Sequence, residues 1–418
     1  MMRDFVVFPH HICDIYHAGI LRFDGMAQVN YITRKIDLQS VLARKSVLLL
    51  GPRRTGKSAL IRHQFTSAKV YNLLKADDYQ RLSARPQLIR EALATAPVDL
   101  IVIDEIQKLP SLMDEVHLMI EEFGQKFLLT GSSARKLRRT HTSLMAGRAK
   151  VKYLHPFVSA EVPDFDLDRV LLYGLLPPVY LSEDPEDELR SYVGEYLKEE
   201  IQAEALSRNI ENFSRFLDRA AFTNAQLINF ESVASDAQVP ARTVREYYSV
   251  LEDTLIGRML QPTSQIGSRK VVSKGKFYFF DTGIVHQLQQ VRSLPGLSAG
   301  YGDAFESFLF QELVAYLDYA DTTETLNFWR TATGAEVDFI VSLRIAIEAK
   351  ATKLVDAKDL KGLKALAAIK PMQRLMVVSR DPERRRVGDI EIWPYREFLR
   401  ELWAGHIIPA RDRHITPL

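Results

Sequence analysis

The chain has 418 residues, a formal net charge of +2, 46% hydrophobic residues and a single cysteine, Cys13. This length exceeds one ordinary core and predicts two or three domains, while one cysteine excludes an internal disulfide framework or a cysteine-only zinc cluster and suits a reducing compartment. A near-neutral total confines any nucleic-acid surface to a local patch, and without a membrane-length apolar run or a signal peptide the expected location is the cytoplasm, with no membrane partner.

Residues 1–29 read as an N-terminal extension. Its His10, His11, Cys13 and His17 follow no common zinc spacing, so no site is assigned there. A nucleotide-binding core is expected over 30–155. Ile32, Ile36, Leu38, Val41 and Leu42 predict a helix within Tyr31–Arg44 that leads into a buried strand, Val47–Leu50. Gly51-Pro52-Arg53-Arg54-Thr55-Gly56-Lys57-Ser58 then fits the phosphate-loop pattern G-x-x-x-x-G-K-[ST]. Gly51 and Gly56 allow a tight turn that aims backbone N–H groups at phosphate oxygens. Lys57 would reach the β- and γ-phosphates, Ser58 would hold Mg²⁺, and the following helix presents its positive end.

Val70–Leu73 and Leu100–Ile103 read as further strands with a helix, Pro86–Ala96, between them. Alternating strands and helices predict a parallel sheet covered on both faces. Leu100-Ile101-Val102-Ile103 ends in Asp104 and Glu105, as a strand does that delivers acids to the sheet edge where the phosphate loop lies. Asp104 would hold the Mg²⁺ water shell, and Glu105 would orient or deprotonate the attacking water; the plainer reading is a solvated acidic turn. Lys126–Ser133 forms the next strand and places Thr130 and Ser132 to sense the γ-phosphate. Beyond it lie Arg135, Lys136, Arg138, Arg139 and Arg148, either a solvated basic helix or the source of an arginine finger, with Arg148 preferred.

Gly51–Ser58, Ile103-Asp104-Glu105, Leu129-Thr130-Gly131-Ser132-Ser133, Ala146-Gly147-Arg148, Leu154-His155-Pro156-Phe157 and Tyr173-Gly174-Leu175-Leu176-Pro177 together resemble a family of prokaryotic AAA-type ATPases. The resemblance covers residues 30 to 400. It implies an AAA-type P-loop ATPase that uses ATP and Mg²⁺ and forms a homo-oligomer, followed by a winged helix and a fold similar to restriction endonucleases.

Residues 156–225 read as a helical junction, with Tyr192, Val193, Tyr196, Leu197 and Ile201 on a packing face. A winged-helix-like domain is placed at 226–292. Its Phe230–Leu251 stretch has a helix-turn-helix pattern with the turn near Gln238 and Val239. That pattern would leave Arg242, Thr243, Arg245 and Tyr248 exposed on the second helix for DNA contact, although such units also serve only for protein packing. Arg258, Arg269, Lys270, Lys274 and Lys276 follow, and Lys276–Phe280 is expected to form part of the wing.

In the last domain, placed at 303–403, Glu336–Val341 and Ile345–Lys350 read as an antiparallel hairpin that brings Asp338, Glu348 and Lys350 to one end. Alternation puts Glu348 and Lys350 on one face. This resembles the PD-(D/E)XK nuclease core, in which two carboxylates bind Mg²⁺ or Mn²⁺ and a lysine positions water or balances phosphate charge. The resemblance adds Glu306 as a further metal ligand. The following helix bears Lys361, Lys364 and Lys370, Arg380 and Arg384–Arg386 form a basic loop that could face a nucleic-acid backbone, and residues 404–418 form a tail. The sequence thus predicts an ATP-hydrolysing protein that acts on DNA through a metal-dependent nuclease-like domain. The alternative is a nucleotide-controlled regulator or scaffold that keeps the fold without cleaving.

Overall fold

A computed structural model describes residues 31–133, 147–197, 210–263, 265–266, 274–296 and 298–410. The His/Cys segment before residue 31 and the basic residues Arg135, Lys136, Arg138, Arg139, Arg269 and Lys270 lie outside them. The chain divides into Met1–Ile32 and Thr33–Leu418, and the elements below belong to the second unit.

Its first part alternates strands and helices. In order these are α1 (Gln39–Leu42), β1 (Ser46–Leu50), α2 (Lys57–Gln64), β2 (Lys69–Asn72), α3 (Ala76–Ala84), α4 (Leu88–Thr95), β3 (Leu100–Asp104), α5 (Leu112–Phe123), β4 (Lys126–Gly131) and β5 (Ala149–Tyr153). The strands form one parallel sheet in the order β2-β3-β4-β1-β5. Every residue of β1 is buried, as expected of a strand covered on both faces. Leu48, Leu50, Ile101 and Ile103 meet Leu112 and Val116 of α5 in one core. Val47, Leu49, Val102 and Leu128 meet Leu60 and Ile61 of α2 in the other.

The helix expected over Tyr31–Arg44 is reduced to α1. The residues before it run irregularly, and the Arg34 side chain is bound to backbone carbonyls of other segments.

A helical region follows: α6 (Leu167–Tyr173), α7 (Pro177–Leu181), α8 (Pro185–Ser191), α9 (Ile210–Phe222), α10 (Phe230–Ala237) and α11 (Ala241–Asp253). An antiparallel ribbon, β6 (Gly257–Leu260) and β7 (Lys276–Phe279), leads to α12 (Thr282–Gln289). Gln238 makes the turn between α10 and α11 in the left-handed conformation, with φ 55°.

The last part comprises α13 (Ala299–Tyr319), β8 (Leu326–Arg330), β9 (Glu336–Val341), β10 (Ile345–Lys350), α14 (Lys361–Ala367), β11 (Arg374–Ser379), β12 (Arg385–Val387), β13 (Ile390–Pro394) and α15 (Tyr395–Trp403). Its strands form a mixed sheet in the order β12-β13-β11-β10-β9-β8. The 21-residue α13 packs against β5, β7, β10, α6, α12 and α15 and so touches every part of the unit. Apolar residues lie around its whole circumference, as a fully surrounded helix requires.

Candidate functional site

Because all five strands of the first sheet are parallel, the ends of β1, β3 and β4 lie along one edge. The phosphate loop leaves β1 at that edge. Gly56 takes φ +94°, a conformation suited to glycine, just before α2 begins at Lys57. Gly51 is required for another reason: a Cβ there would lie 2.4 Å from the Leu154 carbonyl oxygen. Arg54 also has positive φ, and its guanidinium pairs with Glu188 at 3.0 Å. Pro52 and Thr55 are internal to the loop, with Thr55 Oγ1 donating to Pro52 O at 2.9 Å, while Tyr192 donates to Arg53 O at 3.5 Å. Lys57 is buried, and its Nζ donates to Gly51 O at 2.7 Å and Pro52 O at 3.0 Å.

The sequence-predicted acids meet this loop. Ser58 Oγ donates to Asp104 Oδ2 at 2.9 Å, and Thr130 Oγ1 donates to Asp104 Oδ1. The Glu105 N–H donates to Thr130 Oγ1 at 3.1 Å. Glu105 itself takes φ 62°, so the chain turns sharply where β3 ends. Its carboxylate accepts from Gln107, which also donates to Ser132 Oγ at 3.1 Å. Ser58 and Asp104 supply hard oxygen donors of the kind Mg²⁺ takes, beside a buried lysine and a glycine-bearing loop, so the residues present fit a nucleoside triphosphate and its metal.

Two residues here were not singled out in the sequence. Arg34 is buried and donates to Thr55 O at 2.7 Å, His155 O at 2.7 Å and Pro156 O at 2.9 Å, with Glu161 its partner at 3.0 Å. Gln107 links Glu105 to Ser132. Gln107 lies two residues beyond Glu105, a weak signal; nothing in the sequence marks Arg34.

Arg148 lies elsewhere. It precedes β5, whose first residue is level with Ser46 at the start of β1, so it stands at the sheet edge opposite the loop and pairs with Glu121 of α5. It therefore cannot act as the finger of its own site.

On α11, Arg242 pairs with Glu246 at 3.4 Å and Arg245 with Glu231 at 2.8 Å. Thr243 is half-buried. Tyr248 was expected on the exposed side, but it is 2% exposed in the helical core and hydrogen-bonded to Thr223 at 3.2 Å. It shares the apolar stripe of Val244 and Leu251 at spacings of four and three. Phe230–Asp253 carries two arginines against Glu231, Asp236, Glu246, Glu252 and Asp253, a balance that opposes phosphate binding. The basic loop further on is also occupied: Arg384 pairs with Glu391 at 3.0 Å and Arg385 with Asp381 at 2.8 Å.

A second cleft of about 520 Å³ opens at the end of the β9–β10 hairpin. The pairing of Phe339 with Ile347, continued outward, sets Asp338 opposite Glu348 and Glu336 opposite Lys350. All four line the cleft, with Glu306 of α13, Arg330 of β8 and Lys276 of β7. Asp338 Oδ2 accepts from the Ala349 N–H at 2.8 Å, and Lys350 pairs with Glu348 at 2.7 Å. Tyr278 donates to Glu306 at 2.6 Å. Burial raises the carboxyl pKa of both Asp338 and Glu348, reinforced by the neighbouring acids. Burial opposes the charge on Lys350, yet Glu348 and Asp338 prevail and raise its pKa.

Lys276, Glu336 and Arg330 were not among the expected site residues here. Glu336 was legible, since it shares a strand face with Asp338 at a spacing of two. Lys276 was not, because it comes from the ribbon and not from the last part of the chain.

The donors fit a hard divalent cation in kind, and Glu348 Oε2 is buried without a hydrogen-bond partner. They do not fit in spacing as they stand: among the described residues no three His, Cys, Asp or Glu side chains close on a common point.

Comparison with known proteins gives three matches along the chain. Residues 43–162 match a family described as AAA domain, 164–294 a domain of unknown function (DUF8612) and 301–398 a domain of unknown function (DUF4143). Uncharacterized proteins of Mycobacterium bovis and Mycobacterium tuberculosis are each 29% identical over 307 residues, covering 71% of this chain and 67% of theirs. Among solved structures, Can2 from Sulfobacillus thermosulfidooxidans in complex with cyclic tetra-adenylate aligns with 87% of this chain and 98% of its own at 10% identity. Its TM-score of 0.21 is too low to bear on this fold. Among the described residues no helix is long and apolar enough to cross a membrane. The parallel sheet, its phosphate loop and the family match together make residues 43–162 an AAA-type, P-loop ATPase-like domain.

Proposed function

We propose that the chain hydrolyses ATP at the Gly51–Ser58 loop and acts on DNA through a metal-dependent phosphodiester-cleaving site at Asp338, Glu348 and Lys350. A winged-helix role for residues 226–292, a restriction-endonuclease-like last domain, a homo-oligomer and a cytoplasmic setting belong to the same reading. The observation that carries it is the β9–β10 register, which gathers Asp338, Glu348 and Lys350 at one cleft beside Glu306. A divalent cation, were it held there by Asp338 and Glu348, would supply Lewis acidity. The chain's own part is to offer carboxylate oxygens from Asp338 and Glu348 and to hold the Lys350 ammonium where it balances phosphate charge. At the first site Lys57 would bind the β- and γ-phosphates, Ser58 and Asp104 would hold Mg²⁺, and Glu105 would orient water.

The test is incubation of the purified protein with linear, circular, forked and four-way-junction DNA, with and without ATP and Mn²⁺. Lys57→Ala should abolish ATP hydrolysis, and Lys350→Ala or Glu348→Ala should abolish cleavage while leaving hydrolysis largely intact. Cleavage that survives in a clean Glu348→Ala preparation removes the assignment.

A second reading, a nucleotide-controlled regulator that binds without cutting, is favoured by the ammonium of Lys276 among the cleft carboxylates and by the acidic surface of α10–α11. Under it, the same assay yields no Mn²⁺-dependent products, whether the partner bound is DNA or a protein.

A further inference from the structure

We infer that the Lys276 ammonium is a built-in competitor for the divalent cation at the carboxylate cleft, and that metal enters as Lys276 leaves. The inference rests on the reading of Asp338 and Glu348 as metal ligands and concerns how that site is kept closed.

Lys276 belongs to the β6–β7 ribbon, outside the segment that carries the acids. Its Nζ lies 2.9 Å from Glu306, 2.6 Å from Glu336 and 3.9 Å from Asp338. The two shorter separations are those of charge-assisted hydrogen bonds, and they occupy carboxylate lone pairs that would otherwise point into the cleft. A hard divalent cation takes carboxylate oxygens at about 2.0–2.6 Å, so one seated on Asp338 with Glu306 as a further ligand cannot share that place with an ammonium already bonded to Glu306 and 3.9 Å from Asp338.

The surroundings agree with a tenancy of this kind. Lys276 is only 4% exposed although it lines an open cleft, and its Nζ also lies 5.6 Å from the Phe328 ring. An ammonium withdrawn to that depth is held by the acids, since burial alone disfavours its charge. The acids remain incompletely served: Lys276, Arg330 and Lys350 face Glu306, Glu336, Asp338 and Glu348 across the cleft, three positive charges to four carboxylates, and Glu348 Oε2, in a residue 6% exposed, has no hydrogen-bond partner. A doubly charged ion answers that shortfall better than an ammonium does. With Lys276 seated, Glu306 and Glu336 are turned to it while Glu348 is turned to Lys350, and among the described residues the acids do not close on a common point.

The experiment uses the full chain without nucleotide and has two readouts. Mn²⁺ affinity is measured by calorimetry for the wild type, Lys276→Met and Glu348→Gln. Independently, reductive methylation followed by peptide mass mapping measures the reactivity of Lys276 in the wild type with and without saturating Mn²⁺. Lys276→Met should bind Mn²⁺ about tenfold more tightly than the wild type or better, as expected when a competing like charge is removed. Lys276 should be protected without metal and several-fold more reactive with it, and Glu348→Gln should cancel that rise. Unchanged labelling of Lys276 on Mn²⁺ binding that Glu348→Gln abolishes would overturn the competitor and leave the metal site standing. Unchanged or weaker affinity in a Lys276→Met protein with the wild-type circular dichroism spectrum would do the same. If neither protein binds Mn²⁺ in a way that depends on Glu348, both the competitor and the metal site are overturned. The labelling arm needs no variant at Lys276, so a folding defect in Lys276→Met leaves the test intact.

Discussion

A Cβ on Gly51 would be driven into the Leu154 carbonyl, and the segment that would have to yield is the one fastened by Arg34 through His155 O and Pro156 O. Gly51→Ala should therefore distort the loop from outside and weaken ATP binding roughly tenfold or more, measured with a fluorescent nucleotide, if the displacement costs at least ~1.4 kcal/mol. Wild-type affinity would show that the 154–156 segment gives way freely. Arg34 and Glu161 form an ion pair whose side chains are 2% and 0% exposed. Arg34→Ala leaves Glu161 buried without its charge partner and should cost about 3–5 kcal/mol in denaturant unfolding. The phosphate loop was legible at this scale because its pattern is local. Arg34 was not, since its partners come from segments far along the chain. Tyr248 could have been placed correctly by the helical period it shares with Val244 and Leu251; reading the helix-turn-helix pattern as a DNA surface put it on the wrong side.

Helix α13 runs from the carboxylate cleft to the neighbourhood of the phosphate loop. Glu306 lies near its beginning, while at its end Asp318 meets His155 at 2.7 Å and Tyr319 accepts from the His155 N–H at 3.2 Å. His155 shares with Leu154 the segment that closes over Gly51. Tyr319 follows Glu306 by thirteen residues along the helix, a span of about 20 Å. If this rod links the sites, a non-hydrolysable ATP analogue should change Mn²⁺ affinity at the cleft, and Mn²⁺ should change analogue affinity by the same factor. Asp318→Ala should bring both factors toward one, whereas an undiminished effect in that variant would remove α13 from the linkage. At the sheet, β5 sets the fate of Arg148. Its position beside Glu121 on the far edge predicts that Arg148→Ala keeps ATP hydrolysis within about twofold of wild type, a ΔΔG‡ below ~0.5 kcal/mol. A larger loss would require the arginine to reach a neighbouring subunit's site. Apolar runs made the strands of the first sheet visible in the sequence, but the order β2-β3-β4-β1-β5 follows from packing that no single run contains.

Across the whole unit, segments distant in sequence are joined by buried acids that the sequence did not mark as structural. Asp281 caps α12 through the Gly283 N–H at 2.9 Å and accepts from the Leu175 N–H at 2.8 Å. A Cβ on Gly174, which has φ +76°, would strike the Asp281 carboxylate, so the Tyr173–Pro177 motif and the Asp281–Ile284 segment are two halves of one joint. Glu312 performs a similar task midway along α13. It accepts from the Ser159 N–H and hydroxyl, each at 2.7 Å, and from Trp403 Nε1 at 2.6 Å, tying the segment after β5 to α13 and α15. Burial pushes both carboxyls up to about 7, from 3.8 for Asp281 and 4.5 for Glu312, against these donors. A raised acid pKa means that the folded chain holds protons the unfolded chain has already released. The resulting stability is complete below the unfolded pKa and is lost as pH rises through about 7. For Glu312 the shift from 4.5 to about 7 caps the effect near ~3 kcal/mol. Glu312→Gln has no such titration, and its amide cannot accept from all three donors, which costs about 1–2 kcal/mol. The variant should therefore melt below wild type near pH 5, with the gap narrowing toward pH 8 as the wild type alone loses the titration term. Melting curves that stay parallel over that window would mean that Glu312 is already ionised in the folded protein at pH 5.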